Sequence, residues 1–235
     1  MEKNIKSIVF KVEGNKCVVK TLLVNTEGNL VVKTDDVLIT DDNQKLLCGQ
    51  EVSLKDISQT TNYTRYGGYS PYKIEATEPA RKGNLADQQK RLDNLKEMCE
   101  VSMLTDPAEQ FKSKDLANYS LYEKREEFSG LYYSMVRGYG DAVSNVIKES
   151  FSVDKDGDYV TTEEEDDKYE EVNDIIYPLT VNIMRVNHLD YFQQVKEIND
   201  YCSSKQPIRN LFNAANEAIQ LSHDIKNENN NSNNL

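Results

Sequence analysis

Short runs of β-branched and other apolar residues, separated by Gly, Asn and Asp, make up the first 60 residues of the chain. The runs are Ile8–Val12, Cys17–Val24, Leu30–Lys33 and Val37–Ile39. Such runs, divided by turn residues, are typical of an antiparallel meander. Residues 13–21 also resemble residues 27–34, which indicates two similar hairpins. We therefore expect a small β-sandwich or β-barrel at the N-terminal side.

The apolar residues recur at helical spacing from residue 85 onwards, so the predicted fold class is α+β. Asp106 and Pro107 predict a helix start, and Pro178 predicts an interruption or a kink. Gly138-Tyr139-Gly140 predicts a helix end, after which Ala142, Val143, Val146 and Ile147 indicate one more helix or a continuation. Pro207 predicts the start of a last helix, whose apolar stripe consists of Ile208, Leu211, Phe212, Ala215 and Ile219. The expected organisation is a β-rich domain over 1–60, a connector over 61–84, a helical domain over 85–226 with an acidic loop at 154–171, and a disordered Asn-rich tail over 227–235.

Several classes of protein do not fit the sequence. The longest apolar runs, such as Leu22-Leu23-Val24, are far too short to span a bilayer, and Met1 leads directly into a strand pattern, so we expect neither a membrane segment nor a secretory signal. The four cysteines are scattered and form no CxxC pair, which favours reduced thiols and a cytoplasmic location. No nucleotide-binding, metalloprotease or serine-hydrolase motif is present, and the two histidines, His188 and His223, favour packing or surface roles. The sequence therefore predicts a protein that is not an enzyme.

The negative charge of the chain is concentrated in one segment. The formal net charge is −12. Residues 154–174 contain eleven Asp and Glu residues against Lys155 and Lys168, a net charge of −9, which leaves −3 for the rest. A broad anionic surface is therefore not expected, but one acidic segment is.

The segment Lys148–Glu164 resembles the calcium-binding loop of EF-hand proteins of the calmodulin type. The sequence Asp154-Lys155-Asp156-Gly157-Asp158-Tyr159-Val160 is followed by Thr161-Thr162-Glu163-Glu164. In that family, acidic side chains at loop positions 1, 3 and 5, a backbone carbonyl at position 7 and a Glu at position 12 bind the ion. The resemblance implies Asp154, Asp156, Asp158, Tyr159 and Glu164 as the calcium ligands.

The match lacks one residue, because the glycine that follows the third acidic ligand in the family is missing after Asp158. A register that starts at Ser152 places Gly157 at position 6 and Glu163 at position 12, but it loses the first Asp. Two interpretations stay open: a calcium site, or an acidic, solvated loop between two helices. No other cofactor is expected.

A tyrosine-rich connection follows the strand region. It contains Tyr63, Arg65, Tyr66, Tyr69 and Tyr72 around Gly67 and Gly68. Tyrosine is a common anchor in protein–protein interfaces. Stacking on nucleic-acid bases would also need a basic groove, which nothing nearby supplies. The alternatives are an interface arm that binds a partner and a loop that folds onto its own domain, and we expect no direct contact with nucleic acid.

These features together predict a structural or assembly protein that acts through protein–protein interfaces as a homo- or hetero-oligomer. A component of a tailed-phage virion, in the neck or the head, is one instance of that class, so the expected location is the cytoplasm or an assembled virion. The alternatives are a calcium-responsive binding module and an acidic DNA mimic. Mimicry requires acidic residues spread over a face, whereas here they are concentrated in one segment.

Overall fold

The computed structural model describes residues 2–39, 45–58, 69–76, 80–113, 120–185, 193, 196 and 206–232. It confirms the α+β class, because five antiparallel strands precede the long helices. The strands are β1 (Lys3–Glu13), β2 (Lys16–Val24), β3 (Leu30–Leu38), β4 (Glu51–Asp56) and β5 (Tyr72–Ala76). The helices are α1 (Leu85–Ser113), α2 (Leu121–Lys148), α3 (Glu163–Arg185) and α4 (Gln206–Ser232), and the short strands β6 (Ser152–Val153) and β7 (Tyr159–Val160) lie between α2 and α3.

The five N-terminal strands form one sheet in the order β3-β2-β1-β4-β5. The first three make the predicted meander, and β4 returns to pair with β1, which is Greek-key topology. The two edge strands lie close together: just before β5, the Ser70 amide donates to the carbonyl oxygen of Asp36 on β3 at 2.7 Å, and the Lys33 ammonium on β3 lies 5.4 Å from the centre of the Tyr72 ring on β5. The sheet therefore curls into a nearly closed barrel. Its interior is filled by Val9, Cys17, Val19, Val37, Leu46, Val52 and Ile74.

The chain divides into two compact units, residues 1–98 and 99–235, so the boundary lies inside α1. In the first unit, the start of α1 packs closely against the segment before β4. The Asn94 amide donates to the Gly49 carbonyl oxygen at 3.0 Å, and the buried Arg91 donates to that of Cys48 at 3.0 Å. Gly49 has a φ of +80°, and a Cβ there would lie 2.6 Å from the carbonyl oxygen of Arg91, so this approach requires glycine.

The second unit is a helical bundle in which α3 contacts both α2 and α4. Gly140 on α2 lies so near α3 that a Cβ would be 3.0 Å from Cγ2 of Ile176. Lys168 on α3 forms an ion pair with Glu217 on α4 at 3.3 Å. The apolar stripe predicted for the last helix is confirmed as buried. No helix among the described residues is both long and apolar enough to cross a membrane.

Several predicted boundaries differ from the structure. α1 continues through Asp106 and Pro107, so the helix start predicted there does not occur. α2 continues through Gly138-Tyr139-Gly140 to Lys148, so of the two alternatives after Gly140 the continuation is correct. Tyr139 is buried and shares a hydroxyl hydrogen bond of 2.9 Å with Ser102, which keeps this part of α2 within the bundle. α3 extends past Pro178 to Arg185. Strand β5 lies in the range expected as a connector, and α4 reaches Ser232, inside the range expected as a tail.

Candidate functional site

The segment that resembles an EF-hand loop folds as a tight β-hairpin, residues 152–160, which we call the acidic hairpin. β6 and β7 pair with Ser152 opposite Val160 and Val153 opposite Tyr159. The Asp154 side chain closes the turn, because its Oδ1 accepts hydrogen bonds from the amides of Asp156 and Asp158, each at 2.9 Å. Gly157, with a φ of +91°, supplies the left-handed residue that the turn needs.

Aromatic contacts fix the base of the acidic hairpin to the bundle. The buried Phe151 ring meets the Tyr159 ring edge-on, with ring centroids 6.0 Å apart, and meets the Tyr169 ring in the same way at 5.7 Å. The Lys148 ammonium lies 5.5 Å from the centre of the Tyr169 ring. Edge-to-face pairs and cation–π contacts of this kind each add stability beyond the area that they bury. The hairpin is therefore anchored on one side to α2 and on the other to α3.

The start of α3 closes the other side of the hairpin with a capping box. The Thr162 amide donates to Glu165 Oε2 at 2.8 Å, and the Glu165 amide donates to Thr162 Oγ1 at 3.3 Å. The first turn also contains Glu163, Glu164 and Asp166. Negative side chains at a helix N-terminus are stabilised by the helix dipole. Half of the predicted acidic loop, from Glu163 onwards, is therefore helical.

Three apolar side chains of the acidic hairpin point into solvent. Val153 and Tyr159 are each 55% exposed, and Val160 is 52% exposed. Five acidic residues of the same segment, which we call the acidic rim, are also exposed: Asp154, Asp156, Asp158, Glu163 and Glu164. Val153 and Tyr159 are cross-strand partners and share one face of the hairpin, where they form a small apolar patch, whereas Val160 follows Tyr159 directly and so faces the other side. The patch lies on a hairpin whose backbone is held in place.

The predicted calcium ligands are distributed over three consecutive elements. Asp154, Asp156 and Asp158 belong to the hairpin turn, Tyr159 to β7 and Glu164 to the first turn of α3. Within the part of the chain that the structure describes, no group of three or more His, Cys, Asp or Glu side chains could hold a metal ion. The calcium site stays a prediction from the resemblance.

The tyrosine-rich connection is only partly described. Tyr63, Arg65 and Tyr66 lie outside the described residues. Tyr69 and Tyr72 are half-buried on the barrel, and the Tyr72 ring packs against the apolar interior. The Lys33 ammonium lies 5.4 Å from the centre of that ring. For Tyr72, these contacts favour the alternative in which the connection folds onto its own domain, and the role of Tyr69 stays a prediction.

The barrel interior contains polar residues that sequence reasoning missed. A cavity of about 340 Å³ opens at the end of the barrel where β2 ends and β3 begins. Its lining includes Thr21, Leu23, Lys33, Asp35 and Tyr72. Lys33 and Asp35 alternate with outward residues on β3, so their spacing places them on the same face as Val37. The sequence feature that could have predicted this cavity is therefore the pair of oppositely charged residues, Lys33 and Asp35, at inward-facing positions of β3.

The three cysteines that the structure describes, Cys17, Cys48 and Cys99, form no disulfide bond. The fold and the acidic hairpin together define a two-unit α+β protein with a protruding apolar patch. Comparison with protein-family models, with curated proteins and with solved structures found no match.

Proposed function

We propose that this chain is a non-enzymatic assembly protein that binds another protein through the acidic hairpin. The observation behind this proposal is the exposure of Val153, Tyr159 and Val160 on a hairpin anchored by Phe151. Exposing adjacent apolar side chains gives no stability to the chain alone, since burying them would be favourable. A partner surface that covers them would gain that burial, and a preformed hairpin limits the entropy lost on binding.

The acidic rim indicates the chemistry of the partner. The segment 154–174 has a net charge of −9, so a second acidic surface would be repelled. A partner with an apolar pocket and a rim of Lys or Arg would match both parts of the hairpin. Tyr159 is the expected centre of the contact, because tyrosine is enriched among the residues that dominate binding energy.

The test compares the wild-type chain with a triple variant, Val153→Ser, Tyr159→Ser and Val160→Ser. Each is used to capture proteins from the source cells, and a protein captured by the wild type is then purified and its affinity measured by calorimetry. We expect the triple variant to bind at least about tenfold more weakly, since it removes the apolar centre of the contact. We also expect the association rate to fall as salt is added, because opposite charges steer the encounter.

The matched control replaces exposed apolar residues outside the hairpin. Ile5→Ser and Val12→Ser change side chains that are 50% and 40% exposed on β1. These variants should bind as the wild type does. Equal binding by the wild type and the triple variant, or a captured partner whose contact surface is acidic, would contradict the proposal. Loss of the partner in the β1 variants alone would place the interface on the barrel.

The setting of this assembly is a finer part of the proposal. A tailed-phage virion, in the neck or the head, is the instance suggested by the general character of the sequence, and the cytoplasm is the location suggested by its scattered cysteines without a CxxC pair. Immunogold labelling of purified particles with antibodies against the chain would test the virion. Label in soluble extract only would contradict it.

A further inference from the structure

We infer that the open end of the β-barrel is a binding site for a neutral, polyhydroxylated molecule such as a terminal sugar residue. The inference concerns the first unit and is independent of the acidic hairpin. Its starting point is the cavity of about 340 Å³, which lies within the usual volume range of small-molecule sites. All five strands contribute to its lining. The lining residues are Asn4 of β1 with the preceding Glu2, Thr21 and Leu23 of β2, Lys33 and Asp35 of β3, Leu54 of β4, and Tyr72 of β5.

The polar groups of the cavity are held in place by the barrel itself. The Asp35 side chain is only 9% exposed, and its Oδ1 accepts a hydrogen bond from Ser70 Oγ at 2.7 Å. Its Oδ2 lies 3.5 Å from the ammonium nitrogen of Lys33. Thr21 is buried and shares a 2.8 Å hydrogen bond with Ser7. A ligand would therefore meet groups whose positions are already fixed, which reduces the entropy cost of binding.

The charges of Lys33 and Asp35 compensate each other, and both groups retain hydrogen-bonding capacity. A carboxylate offers about four lone-pair sites, of which Ser70 and Lys33 occupy two. An ammonium offers three N–H donors, and Asp35 and Tyr72 are its neighbours here. Burial alone would lower the pKa of Lys33, but the negative charge of Asp35 and the Tyr72 phenol leave that pKa raised, so Lys33 remains a cation.

This pairing favours hydroxyl groups over charged ligands. A hydroxyl both donates and accepts, so two neighbouring hydroxyls can donate to Asp35 and accept from Lys33 at the same time. An anion attracted by Lys33 would be repelled by Asp35 and Glu2, and a cation attracted by Asp35 would be repelled by Lys33. The Asn4 amide and the apolar side chains of Leu23 and Leu54 complete a lining that has polar and apolar parts, as the two faces of a sugar ring do.

The experiment uses the full chain and saturation-transfer NMR with the methyl glycosides of glucose, galactose, mannose and N-acetylglucosamine as probes. We expect at least one glycoside to bind with a dissociation constant on the order of 1 mM, as is reasonable for a ligand of this size. Asp35→Asn and Lys33→Met should each weaken that binding at least about tenfold. The Asp35 side chain is only 9% exposed, and its replacement can therefore disturb the fold. The Lys33 side chain is 48% exposed, so Lys33→Met is expected to fold and tests the site even where Asp35→Asn does not fold.

Asp36→Asn is the matched control, because Asp36 is the next residue on β3 but pairs outside the cavity with Lys16 at 2.9 Å. This variant should bind the glycoside as the wild type does. Inorganic phosphate, putrescine and an oligothymidylate are tested in parallel. Tighter binding of any of these three, glycoside binding that survives both cavity variants, or no binding of any glycoside would overturn the inference.

Discussion

Cys17 lies in the middle of the barrel core, where no water reaches its sulfur. Burial raises the pKa of this thiol to about 12, so the reactive thiolate is almost absent at pH 8. Cys48 is only half-buried, and its thiol donates to the Phe10 carbonyl oxygen at 3.1 Å. We expect iodoacetamide to label Cys48 much faster than Cys17 in the folded chain, as followed by mass spectrometry of digests. Equal rates in the folded chain would contradict the buried position, whereas equal rates in urea are the expected control.

His223 on α4 is a second residue whose environment changes its titration. Burial lowers the pKa of its imidazole, Lys226 lowers it further, and Asp224 offsets part of that effect. A base with a lowered pKa binds fewer protons in the folded state than in the unfolded state. Its contribution to stability is therefore complete above the unfolded value of about 6.5 and is lost as the pH falls towards the folded value.

Urea unfolding of the wild type and of His223→Gln over this pH range measures the effect. Relative to the variant, the wild type should lose stability on acidification, because glutamine does not titrate. A gain in the relative stability of the wild type at lower pH would contradict the direction of the shift. An NMR titration of the imidazole, with its midpoint below 6.5 expected, gives an independent check.

The first turn of α3 shows how one side chain supports an element. Thr162 Oγ1 accepts from the Glu165 amide and lies 3.2 Å from Glu165 Oε2, and Glu165 itself is buried. Thr162→Ala should lower the free energy of unfolding by about 1 kcal/mol, the usual cost of losing an N-cap. Thr162→Ser keeps the hydroxyl and should cost much less. Chemical denaturation of the wild type, Thr162→Ala and Thr162→Ser measures these free energies of unfolding. An alanine variant as stable as the wild type would show that the cap contributes nothing.

The acidic hairpin lacks the glycine that follows the third acidic ligand in EF-hand loops, and restoring this glycine should strengthen calcium binding. Insertion of one glycine between Asp158 and Tyr159 restores the twelve-residue spacing from Asp154 to Glu164 that EF-hand loops use. Calcium should then raise the melting temperature of the insertion variant more than that of the wild type, since a ligand that binds only the folded state stabilises it. Adding Asp154→Ala to the insertion variant should remove this response. A wild-type response of equal size would mean that the shorter hairpin already binds calcium.

Local patterns predicted the elements better than their boundaries. The strand runs and the apolar stripe of α4 were recognised because periodicity records which face is buried. Pro107 predicts a helix start and Gly138 a helix end, yet α1 and α2 continue through them. In α2, tertiary packing outweighs local preference, because Tyr139 is buried in the bundle. Strand β5 was missed because its pairing with β4 is a long-range contact.

The two candidate sites also differ in how far the sequence predicts them. The acidic hairpin was visible as a run of residues, although its resemblance to an EF-hand loop did not reveal the exposed patch. The barrel cavity brings together residues as distant as Thr21 and Tyr72, and only the curling of the sheet places them side by side. No local pattern contains that information, so the sequence supplied the residues but not their convergence.

At the scale of the molecule, charge and exposed apolar surface coincide. The segment 154–174 contains −9 of the total charge of −12, and among the described residues the most exposed large apolar side chains, Val153 and Tyr159, lie in or beside it. Concentrated like charge keeps copies of a chain apart, which protects an apolar patch from self-association. The acidic rim therefore has two consequences in the proposed function: it selects a basic partner and it disfavours a second copy.

Light scattering after size exclusion tests that second consequence. At about 0.01 M salt, charge repulsion extends roughly 30 Å and the chain should have the mass of one copy, whereas at about 1 M the range falls to roughly 3 Å and the exposed patches should begin to associate. The triple variant Val153→Ser, Tyr159→Ser and Val160→Ser should stay monomeric at both salt concentrations, because it lacks the patch, while Ile5→Ser should behave as the wild type does. A stable dimer of the wild type at low salt that is lost in the triple variant would identify a second copy as the partner of the hairpin. In that case the contacts across the dimer would have to outweigh the repulsion between two acidic rims.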